Sequence, residues 1–226
     1  VIQNRRYDPN IRRLRRLLDN DAIGSLTSVD ADFYLGAHFG GFRAEMDHVL
    51  LLDMAIHTFD AARLISGADP VSAYCREWNP AGSWFAHGAN AVAVFEMTHG
   101  IVFTYRGSWC AEGMNTTWES DWRIVGQKGS VVWDGAEQIT GESVAADGEF
   151  RSEMTALDVP GPSPDDRVGG HTGLIREFID KINDGGEPET IVHDNRIELI
   201  PVRPIKEMRG IVSGIDTSVE REPDRS

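Results

Sequence analysis

The residues best suited to do chemistry lie on one predicted helix. Asp53, His57 and Asp60 are spaced at i, i+4 and i+7, so all three project from one stripe of that helix. A histidine titrates near neutral pH, and a carboxylate one turn away can orient it and stabilise its cationic form, as general acid–base catalysis requires. An ordinary polar stripe at the boundary between helix and solvent accounts for the same spacing. The pattern alone therefore leaves both interpretations open.

A metal site is another interpretation of the same helix. Asp-x-x-x-His presents two ligands on one helix face, and His48, His38 or Asp47 would then have to complete the coordination shell. This interpretation predicts a metal-dependent enzyme. Two ligands do not make a site, and the sequence marks no third and fourth donor, so we predict no metal ligand.

Loops on either side of this helix carry further candidates for contact with a polar ligand. These candidates are His38, Arg43, Trp84 and His87. A set of tryptophans on the predicted strands also has two interpretations, because indole rings either stack on sugars or form the apolar side of a sheet against helices or a second subunit. The second interpretation is favoured for Trp109, Trp118, Trp122 and Trp133.

The helix and these loops must be positioned by a domain of ordinary globular composition. The 226 residues are 41% hydrophobic and 26% charged, with a net charge of −14. This composition excludes disorder and opposes nucleic-acid binding, and no stretch is apolar enough to span a membrane. We therefore expect a cytoplasmic protein. Cys75 and Cys110 lie far apart in no paired motif, so we expect free thiols.

Hydrophobic periodicity predicts two early helices, a run of strands and one late helix. A short strand at residues 1–5 leads into a helix that starts at Pro9, whose arginines should form a solvated face. A strand at 25–35 precedes the long helix at 45–66, strands at 89–97, 101–109, 118–125 and 130–133 follow, and the last helix spans 172–183 with Leu174, Ile175, Phe178, Ile179 and Ile182 inward. The pattern indicates an α+β domain with a large, mainly antiparallel sheet and helices on one face.

Two absences limit what the chain can do alone. None of its 23 glycines forms Gly-x-Gly, so the dinucleotide-binding fingerprint and the phosphate-binding P-loop are both missing. The only lysines are Lys128, Lys181 and Lys206. Any chemistry that needs a lysine earlier in the chain must obtain it from elsewhere, and we expect that a segment before Val1 has been removed.

Several segments, in this order, resemble the glucose-fructose oxidoreductase / inositol dehydrogenase / MocA family of sugar and polyol dehydrogenases. They are Asn4-Arg5-Arg6-Tyr7, Asp53-Met54-Ala55-Ile56-His57-Thr58-Phe59-Asp60 and His171-Thr172-Gly173-Leu174-Ile175-Arg176-Glu177-Phe178-Ile179. The resemblance is to the carboxy-terminal half, an α+β domain like the C-terminal domain of dihydrodipicolinate reductase. It implies a Rossmann domain upstream that binds NAD or NADP and ends in a Glu-Lys-Pro motif with a catalytic lysine.

The resemblance also implies residue roles and partners. His57 would exchange the substrate hydroxyl proton, and Asp53 would orient His57 or the substrate. Asn4 and Asp60 also match recurrent positions of the family, and we expect Asn4 to contact the cofactor and Asp60 the substrate. From their loops beside the helix, we expect Arg43, His38 and Trp84 to contact the substrate as well. The substrate would be a sugar or polyol, and the sheet face would form a homodimer or a dimer of dimers. The alternatives are a non-catalytic dimerising or carbohydrate-binding module of the same fold, or a metal-dependent sugar isomerase or lyase.

The resemblance ends before the chain does. We expect the domain to cover residues 1–195, and residues 196–226 to form a divergent tail. Pro201 and Pro204 interrupt the segment where the family closes with an amphipathic helix, and proline costs about 3 kcal/mol inside a helix. We therefore expect the tail to be rearranged or disordered, and the chain alone to be inactive.

Overall fold

The computed structural model describes residues 3–164 and 166–190, in which eight strands form one sheet. The strands lie in the order β2-β3-β4-β1-β5-β6-β7-β8. β1 runs parallel to β4, and every other neighbouring pair is antiparallel. The predicted mixed sheet of an α+β domain is confirmed. The strands are β1 (Leu26–Tyr34), β2 (Pro70–Trp78), β3 (Asn90–Met97), β4 (Val102–Ser108), β5 (Asp121–Gly126), β6 (Gly129–Trp133), β7 (Ile139–Ala146) and β8 (Glu153–Ala156).

Helices cover one face of this sheet. The helices are α1 (Pro9–Asp19), α2 (Phe42–Glu45), α3 (Ile56–Ser66) and α4 (Gly170–Asp184), with a 3-10 turn at Asn4–Tyr7 before α1 and a π-helical turn at Leu51–Ala55 that runs into α3. None of the helices in the described ranges is long and apolar enough to cross a membrane. The predicted tail at residues 196–226 lies outside the described residues.

The chain before α1 differs from the predicted strand. Its described part, from Asn4, forms the 3-10 turn, because the carboxylate of Asp8 caps α1. One oxygen of Asp8 accepts hydrogen bonds from the backbone N–H groups of Asn10 (2.7 Å) and Ile11 (3.2 Å), and Pro9 occupies the first helical position. The cap fixes where the helix begins and leaves the residues just before it as a turn.

The predicted long helix at 45–66 is also interrupted. The chain leaves α2 at Met46 in an extended conformation, and His48 has a left-handed φ of 54°, which no right-handed helix accommodates. The helix then resumes and passes through the π-helical turn into α3. Asp53 and His57 remain on this second, continuous piece.

The hydrophobic core lies between the sheet and α1 and α3. Val29, Ala31 and Phe33 of β1 are at most 1% exposed, and so are Trp109, Trp122 and Trp133. Those three tryptophans are core residues, whereas Trp118 is 48% exposed and does not share that role. The opposite face of the central strands carries charged side chains instead, namely Asp30, Asp32, Arg106, Asp121 and Arg123.

α4 does not bury the predicted stripe. Leu174 is buried, but the other four members of the stripe are each more than half exposed: Ile175, Phe178, Ile179 and Ile182. The buried edge of α4 is set instead by Glu177, whose carboxylate accepts a short hydrogen bond from the hydroxyl of Tyr7 and pairs with Arg167. This polar attachment turns a different side of the helix towards the domain.

The early arginines are not a simple solvated face either. Arg5 and Arg6 are buried, and the guanidinium of Arg6 donates to both oxygens of Asp60 at 2.7 and 2.6 Å. On α1, Arg12 pairs with Glu189 at 2.7 Å. These ion pairs bind the first turn and α1 to later parts of the chain, which the helical spacing of the arginines could not indicate.

The buried pair of Arg6 and Asp60 should be costly to break. Replacing Asp60 with alanine leaves the Arg6 guanidinium without that carboxylate in a buried place, and we expect a loss of roughly 3–5 kcal/mol in unfolding free energy in urea. Asp19→Ala removes a pair with Arg15 in which the Asp19 side chain is 54% exposed, and should cost less than about 1 kcal/mol. Equal losses for the two variants would contradict this account.

Candidate functional site

His57 lies half-buried on α3, with its ring held from one side. Its Nδ1 lies 3.0 Å from Oε1 of Gln3, a residue only 1% exposed. Burial lowers the pKa of His57 to about 4; positive charge on Arg5 and His171 acts in the same direction, and Asp53 opposes it. The imidazole is therefore neutral at neutral pH. No protein partner engages its Nε2 within the described residues, so this nitrogen is available to accept a proton.

Arg5 connects His57 to the sheet. Its guanidinium donates to Thr58 Oγ1 at 2.9 Å and to the Sδ of Met54 at 3.6 Å, both on the helix that carries His57. It also donates a short hydrogen bond to the carbonyl of Trp118 and forms an ion pair with Glu119 at 2.8 Å. Burial lowers the pKa of Arg5, and Glu119 partly offsets this. One side chain thus fixes the helix against the loop before β5.

Asp53 is held by a different residue. Its Oδ2 accepts a hydrogen bond from Nε of Arg43 at 2.8 Å, and this contact raises the pKa of Arg43. The guanidinium of Arg43 also lies 5.1 Å from the ring centre of Phe39 and 4.7 Å from that of Phe42. In the part of the chain that the structure describes, Asp53 makes no hydrogen bond to His57. The two residues therefore offer a carboxylate and an imidazole on one helix, each with its own support.

The π-helical turn contains Asp53. Such turns are rare and are frequently found at functional sites, because the widened turn changes where side chains project. The Asp53 side chain is 18% exposed and that of Arg43 is 34% exposed, so the pair reaches the surface. A ligand at this surface would meet one charged pair and one neutral histidine.

Asp60 and Asn4 lie differently from these residues. Asp60 is fully buried and is engaged by Arg6, so its carboxylate is not open to a substrate in this structure. The physical reason is that i+7 places it one further turn along, against the 3-10 turn. Asn4 is half-buried and lines a cavity of about 320 Å³ together with Arg5, Gly169 and Gly170.

The remaining candidates form a neighbouring exposed group. The ring of His38 stacks on Trp84 with 3.7 Å between centroids, and its Nε2 lies 2.9 Å from Oε1 of Glu112. Nε1 of Trp84 donates to the carbonyl of Ala37 at 2.9 Å. His87 pairs with Asp47 at 3.3 Å. None of these contacts reaches His57, although the loop of His38 also supplies Phe39, which contacts Arg43.

The histidines and acids that a metal shell would require are separated into pairs. His48 pairs with Glu77 at 2.5 Å, and this contact raises the pKa of His48. Within residues 3–164 and 166–190, no group of three or more His, Cys, Asp or Glu side chains is placed to hold a metal ion.

No local pattern in the sequence indicates Gln3, Arg5, Glu119 or His171 as part of the site. Gln3 and Arg5 lie 49 to 54 positions from their partners on the helix, so no local spacing relates them. The one sequence feature that could have indicated Arg5 is that it forms a pair with Arg6 shortly before the helix cap at Asp8. Such a pair is equally typical of a basic surface.

Comparison with known proteins identifies the family of this domain. A model described as the GFO/IDH/MocA C-terminal domain matches residues 11–132, more than half of the chain. The chain belongs to the GFO/IDH/MocA family. An uncharacterized protein of Sinorhizobium fredii, y4oX, is 32% identical to this family member over 143 residues, which cover 61% of this chain and 39% of that protein.

Solved structures share the fold of this GFO/IDH/MocA domain. An oxidoreductase from Agrobacterium radiobacter in complex with NAD+, L-tartaric acid and magnesium superposes with a TM-score of 0.68 at 21% identity, covering 87% of this chain and 58% of that one. Aldose-aldose oxidoreductase from Caulobacter crescentus, complexed with glycerol, gives 0.65 at 18% identity, covering 87% and 57%. The chain thus spans well under two thirds of the length of the proteins that it matches.

The depressed pKa of His57 should appear in the stability of the domain. Its folded pKa of about 4 lies below the ordinary value of 6.5, so the unfolded chain binds a proton that the folded chain rejects. Stability from this group is present above pH 6.5 and is lost as pH falls towards 4. We expect wild type to lose on the order of 1–3 kcal/mol more than His57→Gln across that interval in urea unfolding.

The control for this measurement is His99→Gln, which removes an exposed imidazole on the turn between β3 and β4. Its profile should run parallel to that of wild type. Parallel profiles for wild type and His57→Gln would show that His57 titrates alike in the folded and unfolded chains, contrary to this account.

Proposed function

We propose that this chain is the substrate-binding domain of an NAD(P)-dependent oxidoreductase that acts on a CH–OH group of a sugar, a polyol or a related hydroxy compound. The observation that carries the proposal is that a neutral His57 and the Asp53 carboxylate lie on the same helix. Nε2 of His57 has no protein partner among the described residues. Membership of the GFO/IDH/MocA family supports it.

His57 would handle the proton of the reacting hydroxyl. As the substrate alcohol is oxidised to a carbonyl, the O–H bond breaks and its proton passes to Nε2 of His57. A nicotinamide cofactor, when bound, supplies the acceptor for the hydride that leaves the same carbon. Burial and the positive Arg5 disfavour the imidazolium that forms, so His57 must pass its proton on before the next turnover.

Asp53 would orient the substrate and would not orient His57. Its Oδ2 is occupied by Arg43, and Nδ1 of His57 is occupied by Gln3, so neither residue depends on the other for its position. The other carboxylate oxygen of Asp53 is the group suited to accept a hydrogen bond from a second substrate hydroxyl. Two adjacent hydroxyls, one towards each residue, would fix which carbon is oxidised.

The cofactor would be held mainly by another part of the protein. The chain has no Gly-x-Gly turn, and the described residues form no glycine-rich strand–helix junction that could cradle a pyrophosphate. Of the lysines, Lys128 lies at the turn between β5 and β6, and Lys181 is half-buried on the side of α4 that also carries Glu177; Lys206 lies outside the described residues. Neither Lys128 nor Lys181 contacts His57. We therefore propose that an upstream Rossmann domain supplies both the nucleotide site and a catalytic lysine, and that Asn4 lies where the two domains meet.

The exposed group beside Asp53 would contact the rest of the substrate. Arg43, His38 and Trp84 combine a guanidinium, an imidazole and an indole at one surface, which suits a polyhydroxylated ligand. Among the solved structures with this fold, one is an aldose-aldose oxidoreductase and another is an oxidoreductase in complex with L-tartaric acid. Aldoses and tartaric acid are both polar hydroxy compounds. These relatives support the substrate class without naming the substrate.

We further propose a cytoplasmic homodimer or dimer of dimers that forms through the open face of the sheet. No helix among the described residues covers that face, where Arg106 pairs with Asp32 and Thr104 donates to Asp30. Asp121 and Arg123 continue the same charged surface. In a two-fold dimer this mixed-charge face of one copy would lie against the same face of the other.

Removing His57 should abolish most turnover of the full-length protein. With a panel of sugars and polyols and NAD+ or NADP+, we expect His57→Ala to lower kcat/KM by roughly 10²–10⁴-fold on the best substrate, because the proton acceptor is lost. His99→Ala removes an exposed histidine outside the site and should leave kcat/KM unchanged. Unchanged turnover in His57→Ala would remove His57 from its role, and a full-length protein that oxidises no member of the panel would favour the non-catalytic module.

The 226-residue chain on its own should not bind the cofactor with useful affinity. We expect titration with NADH and NADPH, followed by calorimetry, to give no binding in the micromolar range. A micromolar dissociation constant for the isolated chain would overturn the assignment of the nucleotide site to an upstream domain.

A further inference from the structure

Gln3 is the residue that meets the ring of His57 from outside its helix. It is buried to 99% of its surface, and its amide oxygen lies 3.0 Å from Nδ1 of His57. An amide oxygen can only accept a hydrogen bond, so the ring nitrogen that faces it must be the donor. A neutral imidazole carries one proton, and placing it on Nδ1 leaves Nε2 with a free lone pair.

We propose that Gln3 is a positioning residue that holds His57 in the Nδ1–H tautomer and thereby directs Nε2 towards a substrate hydroxyl. The inference rests on the proposed function of His57, but the contact itself is independent of it. The neighbours of Gln3 in the sequence strengthen the argument, because Arg5 fixes the same 3-10 turn to the helix through Thr58 and Met54.

The choice of a neutral acceptor matters for the charge of the ring. The groups that face His57 are Arg5 before α1, Asp53 on its own helix and His171 at the start of α4. A carboxylate in place of the Gln3 amide would add an adjacent negative charge and favour the imidazolium. The amide orients the ring without doing so, and therefore keeps the proton acceptor unprotonated at neutral pH.

Two variants of Gln3 separate orientation from charge. Gln3→Met keeps the length of the side chain but removes the acceptor, so the Nε2–H tautomer of His57 should become populated. Gln3→Glu keeps an acceptor of the same shape and adds charge, so the Nδ1 proton should stay while the pKa of His57 rises by at least about one unit. Gln138→Glu adds the same charge at an exposed position and is the matched control.

Nitrogen-15 NMR of the imidazoles in the 226-residue chain, with His57 assigned from His57→Gln, measures both quantities directly. Wild type and Gln138→Glu should show a protonated Nδ1 and an unprotonated Nε2. The backbone amide spectrum verifies that each variant is folded. A tautomer that is the same in Gln3→Met as in wild type, or a pKa that Gln3→Glu leaves unchanged, would overturn the inference.

Kinetics of the full-length protein complete the test. We expect Gln3→Met to lower kcat by roughly tenfold or more with little change in KM, because the wrong nitrogen then faces the substrate. Gln3→Glu should restore much of kcat at high pH and move the acid limb of the kcat/KM profile upward by about one pH unit. If the NMR tautomer follows Gln3 while kcat does not, the positioning contact stands and the catalytic role of His57 fails; if the tautomer does not follow Gln3, this inference fails regardless of kcat.

Discussion

The buried guanidinium of Arg5 is the interaction on which the rest of the site depends. Taking an arginine out of water is costly unless its charge and its donors are matched. Here Glu119 supplies the charge, and Thr58, Met54 and the carbonyl of Trp118 accept the donors. These partners come from the helix of His57 and from the loop before β5, so satisfying one side chain fixes the helix against the sheet. Its neighbour Arg6 does the same one turn further along through Asp60.

The same arrangement determines the chemistry of His57. Burial and the positive charge of Arg5 disfavour a second proton on the imidazole of His57. The amide oxygen of Gln3 keeps the single ring proton on Nδ1. Asp53, held by Arg43 at the more exposed end, contributes a negative charge without direct contact. The domain thus keeps a carboxylate and a neutral imidazole side by side without letting them form a closed pair, which leaves both open to a ligand.

The sequence predicted what depends on local periodicity and missed what depends on contacts between distant residues. Helical spacing placed Asp53 and His57 on one face, and alternation placed Trp122 and Trp133 on the apolar side of the sheet, because both patterns follow from backbone geometry. The helix breaks at His48, which adopts a left-handed conformation. Glycine is the usual sequence signal for that conformation, and this position carries a histidine instead. The predicted orientation of α4 was wrong for a related reason. Its apolar stripe is regular, but the hydrogen bond between Glu177 and Tyr7, 170 positions away, decides which side of the helix is buried.

The central claim is that the fold keeps His57 neutral and ready to accept a proton at physiological pH. Direct titration of the His57 ring by NMR between pH 3 and pH 8 tests it without reference to any substrate. The account predicts a midpoint near 4, well below the ordinary 6.5 of histidine. A midpoint at or above 6.5 would contradict it, because Asp53 would then outweigh burial and Arg5, and the residue would act as a charged donor instead.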